Sequence, residues 1–104
     1  MKDEDLIIRE EKNQTTSKFF ASGRVNAVSA DVLQYKLENA LKNGQTTIIL
    51  NMSQVEYLSS IGIRVILKIY KQASEAGNQF NIERPSENVR NVLGMTALEE
   101  MLVK

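Results

Sequence analysis

Two adjacent serines, Ser59 and Ser60, followed by Ile61 and Gly62, are the residues whose types and spacing point most directly to chemistry. They stand where a polar connector, Asn51 to Glu56, gives way to a long helical pattern. A helix start leaves backbone N–H groups without intrahelical partners and carries a partial positive charge. Anions and phosphates are favoured there. One of the two serines is expected to cap the helix, a role worth about 1 kcal/mol. A cap hydroxyl still lies at the surface, so capping leaves room for modification. A phosphate at this turn would gain from the helix dipole internally, while its charge of about −1.5 to −2 would disturb an opposing surface. Function is therefore expected near this turn.

Other chemistry is largely excluded. The 104 residues contain no cysteine and no histidine. That removes the usual zinc and non-haem iron constellations and the Cys–His and Ser–His nucleophile pairs. Glu10-Glu11 and Glu99-Glu100 are paired carboxylates near expected element ends, with nothing to raise a pKa for acid–base work. Neither G-x-x-x-x-G-K-[ST] nor G-x-G-x-x-G occurs. No cofactor and no metal are expected. Thirteen basic and thirteen acidic residues cancel, which argues against nucleic acid or an anionic membrane as the main partner. No apolar run approaches a membrane span. The opening Met1–Asp5 is acidic and lacks an apolar signal region. A cytoplasmic location is expected, and the absence of cysteine fits it.

The elements that must position the serine turn follow from periodicity. Length alone implies one domain over residues 1–104. Leu6-Ile7-Ile8 reads as a strand and Glu10 to Gln14 as a turn. Thr15 to Ser22, ended by Gly23, reads as a hairpin partner strand. Gly23-Arg24-Val25-Asn26 reads as a loop, with Ser29 as the helix N-cap and Asp31 in the first turn. Leu33, Leu37, Ala40 and Leu41 then form one helical face, and Gly44 sits just beyond the end. Thr46 to Leu50 looks like a strand buried on both faces. In the helix after Ser60, Ile63, Ile66, Leu67 and Tyr70 form the apolar face. Arg64, Lys68, Lys71, Gln72 and Glu75 form the solvated stripe. Gln79 to Glu83 is a short strand. Ser86 caps a helix with Val89, Val92 and Leu93 inward, closed by Gly94. Thr96 to Glu99 reads as a capping box for a last helix. The order β-β-α-β-α-β-α-α predicts an α/β fold, a small mixed sheet with helices packed on it.

Several segments together resemble the STAS domain of bacterial anti-sigma factor antagonists. Gly23-Arg24-Val25-Asn26-Ala27 resembles the family's G-R-[LIV]-D-A turn. Ile48 to Tyr57 resembles its strand and connector, and Leu58-Ser59-Ser60-Ile61-Gly62-Ile63 occupies the place of [MIL]-D-S-S-G-L. Val89 to Leu102 resembles the closing V-x-x-[VL]-[FL]-x-x-[TS]-G-L pattern, with Ala97 at the usual glycine. The resemblance spans about Leu6 to Leu102. It implies a STAS-like fold and a non-enzymatic switch that binds an anti-sigma factor, often a serine kinase, and so frees a sigma factor. In that family the kinase phosphorylates the serine just before the helix glycine, and binding is lost.

This sequence departs from the pattern at that position. Ile61 stands at the phosphorylated serine, Ser60 at the preceding serine, Ser59 at the aspartate, and Asn26 at the aspartate of the first turn. The resemblance makes Ser60, then Ser59, the candidate phosphoacceptors. The expected partner surface is the tip formed by Gly23, Arg24, Asn26, Tyr57, Leu58, Ser59, Ser60, Ile61, Gly62 and Arg64. Tyr57, Leu58 and Ile61 would form its apolar patch, with ordinary burial under the sheet edge as the alternative for Tyr57 and Leu58. The chain is expected to be a monomer or weak dimer. Two alternatives stay open: an interaction or scaffold module that is not phosphorylated, and a weak nucleotide-binding domain for which Glu56 is the available carboxylate.

Overall fold

The computed structural model describes residues 5–95 and 98–103. The elements are β1 (Leu6–Lys12), β2 (Thr16–Val25), α1 (Ala27–Lys42), β3 (Thr47–Leu58), α2 (Ser60–Glu75), β4 (Gln79–Glu83), α3 (Glu87–Met95) and α4 (Glu99–Leu102). The expected order and mixed sheet are present. Strands lie in the order β1-β2-β3-β4. β1 and β2 form the antiparallel hairpin, while β2–β3 and β3–β4 are parallel. Alternation sets the layers. Phe19, Ala21, Ile48, Leu50, Phe80 and Ile82 are buried in one cluster with Leu33, Leu37, Val65, Ile66 and Ile69 of the helices. The alternate residues Lys18, Phe20, Ile49, Asn81 and Glu83 are only half-buried. The molecule is 19 Å deep along its shortest axis, the depth of one sheet and one helical layer.

Several boundaries differ from the sequence reading. The hairpin turn is shorter than Glu10 to Gln14, because the Asn13 side chain accepts from Thr15 N (3.0 Å) and Thr16 N (2.9 Å) and closes it. β2 does not end at Gly23; it runs on to Val25. Gly23 adopts φ +118°, and a Cβ there would lie 2.2 Å from the Asp5 carbonyl oxygen, so only glycine fits. The connector Asn51–Glu56 is strand as well. The β2–β3 register shifts twice, between Phe20 and Ser22 and between Gly23 and Arg24. Each shift lets β3 run one residue ahead, so its inward residues become Met52, Val55 and Leu58, spaced by three. A spacing of three hides a strand from any search for alternation.

The helices also shift. α1 begins at Ala27, three residues before the expected start, which places Asp31 beyond the first turn. α2 buries Gly62, Val65, Ile66, Ile69 and Ala73, whereas Leu67 is exposed and Ile63 and Tyr70 are half-buried. Its apolar residues cover more than half of the helix circumference, and the buried residues run along the middle of that side, which leaves Leu67 at its edge. Ser86 caps α3 as expected: its hydroxyl accepts from Val89 N (3.2 Å) and donates to Val55 O (2.6 Å). With Ser86 N bound to Met52 O, this pins α3 beside the second half of β3, beyond the reach of β4. Gly94 lies inside α3 and does not close it. Of the expected capping box, Thr96 and Ala97 lie outside the described residues; α4 follows Leu98 and has no side-chain cap.

Candidate functional site

β2 and β3 run parallel and finish together, with Arg24 opposite Tyr57 and Val25 opposite Leu58. Each then turns into a helix. Ser59 N donates to Val25 O (2.9 Å), which ties the two exits into one edge. The loop residues and the serine turn expected to share a tip are therefore brought together.

At the first exit the cap is Asn26, not Ser29. Asn26 Oδ1 accepts from Val28 N (3.0 Å) and Ser29 N (2.9 Å). Ser29 completes the box from the third helical position: its Oγ accepts from Asn26 N (2.9 Å) and donates to Arg24 O (2.7 Å). The free end of the Asn26 amide donates to the Asp5 carboxylate at 2.6 Å. An asparagine can cap with its oxygen and bind a carboxylate with its nitrogen; an aspartate could not do both.

At the second exit Ser59 is the N-cap, and its Oγ accepts from Gly62 N at 3.0 Å. Ser60 is exposed and takes no part in the cap. Gly62 lets the first turn of α2 press onto the strand ends. A Cβ at this position would stand 2.7 Å from both Leu58 Cδ1 and Val25 Cγ1. The expected apolar patch is corrected accordingly. Leu58 is buried beneath Gly62, and Gly62 and Gly23 are structural, whereas Tyr57 and Ile61 remain 41% and 39% exposed. The Arg24 guanidinium lies over the Tyr57 ring, 4.5 Å from its centroid, which fixes a cation at the rim. Arg64 is exposed one turn after Ser60 on the same side of α2.

Two groups at this edge were not anticipated. Asp5 reaches the first cap, and Val28 is a large exposed apolar residue in the first turn of α1. Val28, Val32 and Tyr35 recur at i, i+4 and i+7, a second apolar row on the side of α1 away from the core row. Among the described residues two carboxylates have lowered pKa values, and neither adjoins the serines. Glu38 is held below its usual range chiefly by a hydrogen bond from Gln72, and Glu83 chiefly by one from Asn51; partial burial opposes both. Among the described residues no acidic group of three or more could hold a metal ion. Among the described residues no helix is long and apolar enough to cross a membrane.

The STAS domain family profile matches residues 8–104. The chain belongs to the STAS domain family. This STAS domain is 29% identical over 70 residues to BtrV of Bordetella bronchiseptica, named as an anti-sigma factor antagonist, covering 67% of this chain and 60% of the relative. It is 32% identical over 69 residues to a Thermotoga maritima protein of the same designation, covering 66% and 61%. The alignments thus span about three fifths of these relatives' lengths. Among solved structures, the anti-sigma factor antagonist SpoIIAA in its unphosphorylated form superposes with a TM-score of 0.83 at 20% identity, covering 93% of this chain and 86% of SpoIIAA. The phosphorylated form of the Bacillus protein superposes with a TM-score of 0.76 at 18% identity, covering 93% and 89%. These likenesses establish the fold.

Proposed function

We propose that this STAS domain is an anti-sigma factor antagonist. Its tip binds an anti-sigma factor of the serine-kinase type and so releases a sigma factor, and transcription is regulated by this exchange of partners in the cytoplasm. The observation that carries the reading is the exposed start of α2, where Ser60, Ile61 and Tyr57 stand together on a rigid edge, in a chain whose relatives are named for this role. Ser60 is the favoured phosphoacceptor because its hydroxyl is exposed, while the Ser59 hydroxyl is engaged with Gly62 N. A phosphate on Ser60 would place about two negative charges in the contact surface, and repulsion and desolvation would oppose binding. The tip offers a docking edge and not a catalytic centre, so we read a binding module and not an enzyme.

Incubating the chain with the serine-kinase anti-sigma factor of the same genome, with and without ATP, tests this. A complex without ATP, one added phosphate by intact mass with ATP, and its loss in Ser60→Ala are expected. No complex with the unmodified chain would sink the reading. A second reading is favoured by Ile61, which puts an exposed apolar side chain where the family resemblance expects the phosphorylated serine. In that reading the domain is a constitutive antagonist or scaffold, and the same experiment returns a stable complex and no added phosphate.

A further inference from the structure

We propose that the outward face of α1 and α2 is a second contact surface for the partner bound at the tip, covered by an amphipathic helix of that partner with carboxylates along one flank. The inference rests on the tip reading. On α1, Val28, Val32 and Tyr35 are 77%, 46% and 68% exposed and form one row on the side away from the core. An i, i+4, i+7 row of this kind accepts a helix laid against it. On α2, Arg64 and Lys71 point outward without an acidic partner among the described residues, while Lys68 pairs with Glu38 at 3.9 Å. The helices lie side by side, since Glu38 of α1 accepts from Gln72 of α2 at 3.1 Å. The face therefore sets an apolar row on α1 beside three cations on α2, with Glu38 at the seam between the helices and Glu75 one turn beyond Lys71.

Two arguments select the occupant. A stable pair of copies needs about 800 Å² from each partner, more than three apolar side chains provide on their own. The surface is also continuous with the tip: Val28 sits in the first turn of α1, at the edge where Ser59 and Ser60 begin α2. One partner can span both.

Calorimetric titration with the anti-sigma factor that binds the tip is the test. All altered residues are exposed, and thermal unfolding confirms that each variant folds. Val32→Ser with Tyr35→Ser should weaken binding by about tenfold or more. Lys71→Glu should weaken it several-fold at low salt, a difference that closes as salt is raised. A photo-crosslinking amino acid at position 35 should attach to an acid-flanked helix of the anti-sigma factor. If Ile61→Asp abolishes binding while the α1 and α2 variants bind like the unaltered chain, the second surface is disproved and the tip reading stands. Crosslinking at position 35 to another copy of this chain also overturns it. If the unaltered chain binds no anti-sigma factor, the tip reading fails and this inference falls with it.

Discussion

The two helix starts at the tip are built from the same parts but held differently. α1 begins at a reciprocal box: Asn26 caps two N–H groups, Ser29 returns the bond, and both are tied outward, to Asp5 and to the Arg24 carbonyl. α2 begins at a single cap bond from Gly62 N to Ser59, with the next serine free at the surface. What replaces hydrogen bonds at α2 is close packing, since Gly62 sits directly on Val25 and Leu58. One start is fixed by polar groups and its conformation is over-determined. The other is fixed by shape and one cap bond, which leaves the Ser60 hydroxyl available to a partner or a kinase.

The contrast is broken most forcefully at Gly62. Gly62→Ala should destabilise the domain by about 2 to 3 kcal/mol, because the new methyl enters a space already filled by two side chains. Denaturant unfolding measures this, and an unchanged midpoint would mean that packing does not hold α2. The cap residues come next. Asn26→Ala and Ser29→Ala should each cost about 1 to 2 kcal/mol, and Ser59→Ala about 1 kcal/mol or less. If Ser59→Ala costs as much as either change at α1, the two starts are not held differently.

How much of this could be read beforehand divides along the same line. The element order, the hairpin, the core row Leu33, Leu37 and Ala40 and the meeting of Arg24–Asn26 with Tyr57–Arg64 were all legible, because periodicity and helix-start chemistry are local signals. Four features were not. The second half of β3 was hidden by two register shifts that replace alternation with a spacing of three. The strand character of Gly23 depends on Asp5, eighteen residues away and on another strand's approach. The burial of Leu58 depends on Gly62 lying over it. The α1 cap moved from Ser29 to Asn26 because both residue types can cap, and only the outward bonds decide between them. The misses at β3 and Gly23 are contacts between residues distant in sequence, whereas those at Leu58 and the α1 cap include choices among close neighbours that periodicity does not decide.

A smaller effect sharpens the polar half of the comparison. Asn26→Asp matches the residue that the family resemblance places here, yet in this chain it would set a carboxylate against Asp5, where the amide now donates at 2.6 Å. We expect a loss of at most ~1 kcal/mol at low salt, since both groups are near solvent. Asp5→Asn in the same chain should restore most of it. A double-mutant cycle with no coupling would show that Asp5 does not hold the first cap.

The smallest effect concerns acid, and it separates the tip from the sheet. Glu83 sits on the open face of the sheet. Its pKa is lowered from 4.5 first by the hydrogen bond from Asn51, with Lys18 at 3.1 Å adding to it and partial burial opposing. A folded-state pKa below the unfolded one means the carboxylate contributes stability above the unfolded value. That contribution is lost as pH falls through the lowered folded value. The domain should therefore lose stability as pH drops below about 4.5, with Glu38 acting in the same direction through Gln72. Asn51→Ala should flatten the part due to Glu83, measured as the slope of unfolding midpoint against pH. Partner binding at the tip should not share that altered slope, because neither lowered carboxylate touches Ser59, Ser60 or Asn26. If Asn51→Ala changes the pH dependence of binding as much as that of folding, the tip is not mechanically separate from the sheet face, and the rigidity assigned to α2's packed start is wrong.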